Sequence, residues 1–228
     1  MTPPAPARDP RRAQAERNDQ ALLRAAREVL AAEGAHASVA AIAARAGVGI
    51  GSLYRRYRSK QALFQHLCAV ALDQWLQAAE EGLAHADPWE GLAHYVSAGI
   101  DFGPGSLAPI AGTIEVTQEM EARARRGDEA VEALVARAHA AGVLRSDATA
   151  VDLSLLIEQL SKSPLLEQLQ RQGRLDLMEA AMNARRRLIA IALDGLRATA
   201  GAPLPGPAPT SVLFTERWAP QSARPERR

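Results

Sequence analysis

Residues 47–60 read GVGIGSLYRRYRSK, with Gly47, Gly49 and Gly51 standing just ahead of Tyr54, Arg55, Arg56, Tyr57 and Arg58. Glycine costs a helix about 1 kcal/mol relative to alanine, so a helix that starts here begins weakly. The flanking segments decide what it belongs to. Upstream, SVAAIAARAG (residues 38–47) offers Ser38 as an N-cap, apolar Ile42, Ala43 and Ala46 at helical spacing, and a closing Gly47. Downstream, Ser59 opens a longer pattern through Leu63, Phe64, Leu67, Val70, Ala71 and Trp75 towards Leu83. Before both, Leu22, Ala26, Val29 and Leu30 mark a first helix that ends at Gly34. Two short helices joined by a glycine turn and held against a longer one describe a helix-turn-helix unit.

At about 100° per residue, Leu53 and Tyr57 share one face of the helix beginning at Ile50, while Gly51, Ser52 and Arg55 lie opposite. Tyr54 and Arg56 flank the buried direction. Such a helix fits a major groove with Gly51, Ser52 and Arg55 towards the bases and Tyr54 and Arg56 towards phosphates. The planar fork of Arg55 matches the O6 and N7 acceptors of guanine, and Ile50 suits a thymine methyl. Lys60 can reach a phosphate. A nucleotide phosphate loop does not fit, because GVGIGS has neither the third glycine of a dinucleotide fingerprint nor a following Lys-Ser/Thr pair, and a helix precedes it where those motifs need a strand.

The charge distribution agrees with a polyanion partner at one end. The chain of 228 residues has a net charge of +1, yet residues 1–66 carry eleven Lys/Arg against five Asp/Glu. The remainder is acidic. Alanine and leucine dominate and aromatics are only 4%, which predicts an all-α protein. The lone Cys68 rules out an internal disulfide, MTPPAPARDPRRAQ at the N-terminus lacks the apolar core of a signal peptide, and no long apolar span occurs. A soluble cytoplasmic protein with no membrane partner is expected. Five scattered histidines and one cysteine form no metal-ligand or nucleophile motif, so no metal, cofactor or catalytic residue is expected.

The expected domains are a flexible basic arm over residues 1–16, the helix-turn-helix domain over 17–66, a larger helical body over 67–198 and a Pro-rich tail over 199–228, with Leu213, Phe214 and Trp218 as anchors of the tail. Arg8, Arg11 and Arg12 give the arm a charge that suits DNA. In the body, Asp87, Pro88 and Glu90 predict a capping box ahead of a helix over 88–102. Further helices are predicted near 107–124, 128–141 and 149–162, the last opened by Thr149 and Asp152. One more restarts at Pro164, and a long final helix covers about 174–198.

The segment SVAAIAARAGVGIGSLYRRYRSKQALF, residues 38–64, resembles the DNA-binding domain of the TetR family of transcriptional regulators in its Ser cap, its IA-x-x-AGV turn, its LY-x-x-Y helix and its K-x-x-LF opening. The first helix extends the likeness. AHAAGVLRSDATAVDLSLLIEQL (138–160) and RRRLIAIALDGLRA (185–198) resemble family members more weakly. The resemblance implies an all-α homodimer in which a three-helix N-terminal domain binds a near-palindromic double-stranded DNA operator. A larger C-terminal domain for ligand binding and dimerisation would release the DNA when a small-molecule effector binds. The family's contact positions fall on Ser38, Ala40, Gly49, Ile50, Gly51, Ser52, Tyr54, Arg55, Arg56 and Lys60, of which Ala40 offers no hydrogen bond.

By the same resemblance, an effector pocket is expected among Trp75, Trp89, Tyr95, Phe102, Ile110, Met120 and Leu134. Dimerisation would use Leu155, Leu156, Leu166, Leu169, Met178, Met182, Leu188, Ile189, Ala192 and Leu196. Two other readings of the residues stay open: a sequence-tolerant architectural DNA binder, and a helical enzyme or small-molecule carrier.

Overall fold

The computed structural model describes residues 10–102, 107–199 and 201–213. They are mostly helical: α1 Pro10–Glu33, α2 Val39–Ala46, α3 Ile50–Arg56, α4 Lys60–Ala84, α5 Pro88–Asp101, α6 Gln118–Ala140, α7 Ala150–Ser161, α8 Pro164–Arg171 and α9 Met178–Gly195. An isolated bridge between Leu144 and Arg197 is the extent of β pairing among the described residues. None of the described helices is long and apolar enough to cross a membrane.

The boundaries follow local chemistry. The Ser38 hydroxyl accepts from the Ala41 N–H and opens α2, and Gly47 closes it at φ 68°, where a side chain would be strained. Ser59 and Asp87 cap α4 and α5 in the same way, Asp87 accepting from Trp89 and Glu90 at 2.7 and 3.0 Å. A complete reciprocal capping box forms at Thr149 and Asp152.

Two expectations change. The arm expected over residues 1–16 is helical from Pro10 onward, as the start of α1; Arg8 lies outside the described residues. The two helices expected near 107–124 and 128–141 are replaced by a short turn at Ala108–Ile110 and the single helix α6. Pro109 and the positive φ of Gly112 break the first of these, and Thr117 then caps α6 by accepting from the Met120 N–H. Gly127, where the sequence suggests a break, lies inside α6 with open space around it.

There are two cores. The first joins Leu22, Leu23, Ala26 and Leu30 of α1, Ile42 of α2, Leu53 and Tyr57, and Leu63, Phe64 and Leu67 of α4. It also takes in Leu107, Ile110, Ile114 and Met120, so the helix-turn-helix core is completed by side chains far beyond residue 66. The second core gathers Ala78 and Ala79 of α4, Trp89, Leu92, Tyr95, Val96 and Ile100 of α5, Leu134 and Val135 of α6, and Leu153 and Ile157 of α7. Helix α4 runs unbroken from one core into the other.

Arginines tie these parts together. Arg137 donates to the carbonyls of Leu83, His85 and Ala86 and so fastens the α4–α5 turn. Arg27, only 7% exposed, reaches from α1 to the Phe102 carbonyl at 2.8 Å and to Gln74 of α4 at 3.3 Å. Burial pushes its pKa down to about 10, so it remains a cation at neutral pH, held by the Phe102 carbonyl at the electronegative end of α5 and by Gln74. The beginning of the tail is tied to the body: Asp147 accepts from the Leu204 N–H at 2.7 Å and Arg145 donates to the Ala202 carbonyl at 2.6 Å. Leu213 is 49% exposed, and Phe214 and Trp218 lie outside the described residues.

Candidate nucleic-acid interface

Helix α3 sits on the first core through two side chains, Leu53 at 6% and Tyr57 at 8% exposure. Burial pushes the Tyr57 hydroxyl up to about pKa 12, so it stays protonated. The other side of the helix faces outward: Gly49, Ile50, Gly51, Ser52, Tyr54, Arg55 and Arg56 are all exposed, Ile50 at 44% and Tyr54 at 54%. The start of α4 adds Lys60, whose Nζ lies 5.2 Å from the Phe64 ring centre. Ser38 is exposed too, with its oxygen engaged as the α2 cap. The DNA-binding positions read from the sequence are thus all exposed, and the division of α3 between buried and outward residues follows the helical wheel.

Arg56 departs from its expected freedom to meet phosphate. Its Nη2 donates to Asp19 Oδ2 of α1 at 2.9 Å, and its Nη1 lies 2.7 Å from Oδ1. That bond raises the Arg56 pKa further above its ordinary value. His66 of α4 closes on the same carboxylate, its Nε2 3.3 Å from Oδ2, and its ring lies 5.1 Å from that of Tyr57. The pattern along α1 marks Asp19 as a surface residue, and only the arrangement of three helices reveals this contact.

The expected effector residues divide between the two cores. Ile110 and Met120 belong to the first core, and Trp89, Tyr95 and Leu134 to the second. Trp75 and Phe102 pack against the second core, their rings 5.1 Å apart and edge to face, with Tyr95 6.0 Å from Trp75. Three of the seven therefore meet as an aromatic cluster and the rest are dispersed. A groove of about 380 Å³ is lined by Glu81, Ala84, His85 and His94, none of them among the seven. His94 pairs with Glu81 at 3.1 Å. Among the described residues no group of three His, Cys, Asp or Glu is placed to hold a metal ion.

The expected dimer residues also divide. Leu196 is buried in the second core, Leu156 and Ile189 pack onto it, and Leu169 is buried. Leu155, Leu166, Met178 and Ala192 are half-buried, which leaves Met182 at 43% and Leu188 at 58% exposure as outward apolar groups. Sequence reading missed Leu165, Leu175 and Ile191, exposed by 53%, 74% and 63%. Ala184, Leu188 and Ile191 follow an i, i+4, i+7 spacing, so they form one outward stripe on α9. Such a stripe shows which leucines are unburied only after the other face of α9 has been placed on the core.

Residues 22–67 match the family described as bacterial regulatory proteins, tetR family. A TetR transcriptional regulator from Streptomyces coelicolor has 25% sequence identity to this chain, with a TM-score of 0.51, 79% of this chain and 99% of that one covered. The TetR-like regulator LfrR from Mycobacterium smegmatis, solved in complex with proflavine, shares the fold at 22% identity and TM-score 0.51, with 84% and 99% covered. No curated protein matches the sequence.

Proposed function

The helix-turn-helix domain of this chain belongs to the TetR family of bacterial regulatory proteins, and from that premise we propose that the protein is a dimeric, ligand-responsive repressor released from a palindromic operator by a small molecule. A DNA-binding transcriptional regulator would read its site through α3 and answer to a ligand through the body. One observation carries the reading: α3 buries Leu53 and Tyr57 and leaves Gly51, Ser52 and Arg55 exposed on its opposite face. In this reading Arg55 takes a guanine edge, Ile50 and the glycines lie close to the bases, and Ser38, Tyr54 and Lys60 meet the backbone.

Two features support coupling to a ligand in the body. The first core includes Leu107, Ile110, Ile114 and Met120, and Arg27 holds α1 to the last turn of α5. A shift of α5 or of the segment after it would be felt by the helices that carry α3. A population shift of this kind needs a coupling of about 1 to 3 kcal/mol. The outward apolar groups Leu165, Leu175, Met182, Leu188 and Ile191 support a second copy as partner, since apolar patches left facing water mark association surfaces.

Selection of bound duplexes from a random pool tests the class and yields the site. Arg55→Ala should then lose roughly 1 to 3 kcal/mol on the selected operator and little on unrelated DNA, measured at one salt concentration. Equal losses on both would favour a sequence-tolerant architectural binder.

A further inference from the structure

We propose that Asp19 is a positioning residue for DNA recognition: through Arg56 it sets the angle at which α3 is presented to the groove. The proposal rests on the DNA-binding reading above and adds a residue to it. Helix α3 is seven residues long, begins at Gly49 without a side-chain cap, and buries Leu53 in its body and Tyr57 at its end. Helices shorter than about 12 residues do not hold themselves in water, so tertiary contacts must set the direction of α3. Leu53 and Tyr57, four residues apart, anchor one face of the helix to the first core, and the ion pair to Asp19 adds a contact from α3 to α1. The Arg56–Asp19 contact sits at the last residue of α3: Nη2 donates to Oδ2 at 2.9 Å, and Nη1 stands 2.7 Å from Oδ1 as the closer charge contact of the ion pair.

The Asp19 side chain is only 15% exposed, against 45% for Arg56. The carboxylate of α1 therefore meets α3 and α4 together: the Oδ2 that accepts from Arg56 also lies 3.3 Å from His66 Nε2, and the Arg56 guanidinium is 5.2 Å from the Tyr57 ring centre. A bare negative charge beside a DNA-facing surface would only repel phosphate, so removing it should tighten binding to any duplex. A positioning role has the opposite sign and is confined to the operator.

The test uses the full chain, an operator selected from a random pool and an unrelated duplex of equal length. Asp19→Asn should weaken operator binding by about 5- to 10-fold while leaving the unrelated duplex unchanged or bound more tightly. In an Arg56→Ala background the same substitution should have no further effect. Operator affinity at or above wild type in Asp19→Asn, or an equal loss in both backgrounds, would overturn the proposal. Should Asp19→Asn fail to fold, amide exchange in the free Arg56→Ala protein still decides: faster exchange confined to residues 53–57 supports the latch, and unchanged exchange refutes it. A pool that yields no preferred sequence would instead defeat the DNA-reading premise, and the exchange result would still stand on its own.

Discussion

Gly91→Ala should lower stability by about 2 to 3 kcal/mol, although alanine is the better helix former. A Cβ on Gly91 would stand 2.2 Å from the Gly82 carbonyl oxygen and 3.2 Å from its carbon. Those are backbone atoms of α4, so no rotamer change can relieve the clash. From the other side, a Cβ on Gly82 would lie 2.7 Å from the Gly91 carbonyl oxygen. Helices α4 and α5 must then move apart, and Ala78, Ala79 and Leu92 of the second core lose their contacts together. For a chain of this size, 1 kcal/mol shifts the melting temperature by about 2 to 4 °C, so a fall of roughly 4 to 12 °C is expected in a thermal melt. Gly127→Ala is the matched control. It sits inside α6 with nothing near its Cβ position, and the same change there should stabilise by up to about 1 kcal/mol. Equal melting temperatures for the two variants would refute the close crossing.

The double substitution Leu188→Glu with Ile191→Glu should give a folded monomer that binds the operator at least about 100-fold more weakly. Both side chains are largely in water within one chain, so charging them leaves the two cores intact and the helical circular dichroism unchanged. In a dimer they would be buried, and four carboxylates brought together there would oppose association strongly. A palindromic site is held by two recognition helices at once, and a monomer loses the effective concentration that the second half-site provides. Light scattering and operator titration read the two effects separately. A dimer that persists would move the interface elsewhere, whereas a monomer with undiminished affinity would remove the need for a dimer in binding.

Much of the candidate DNA surface was legible because its information is local. The cap at Ser38, the turn at Gly47 and the split of α3 into Leu53 and Tyr57 against Ser52 and Arg55 depend on dihedral preferences and a period of 3.6 residues. The same reasoning went too far at Arg56, because a helical wheel places a side chain at the boundary of a face and cannot know that α1 offers a carboxylate there. It went astray on Leu188 of α9 and Leu196 just after it for a related reason. Leu196 and Leu188 are alike as residues, and only the packing of α9 on the second core makes one interior and the other outward.

The sequence by itself therefore determined an all-helical chain with a basic helix-turn-helix unit at one end and a recognition helix of known polarity. These follow from propensity, capping and periodicity within a few turns of chain. The tertiary structure alone decided that residues 107–120 complete the core under that unit and that α4 and α5 cross at Gly82 and Gly91. It alone placed Asp19 where it grips the end of α3. Each of these is a contact between segments distant in sequence, set by the volume that neighbouring side chains leave open, and no local pattern encodes that volume.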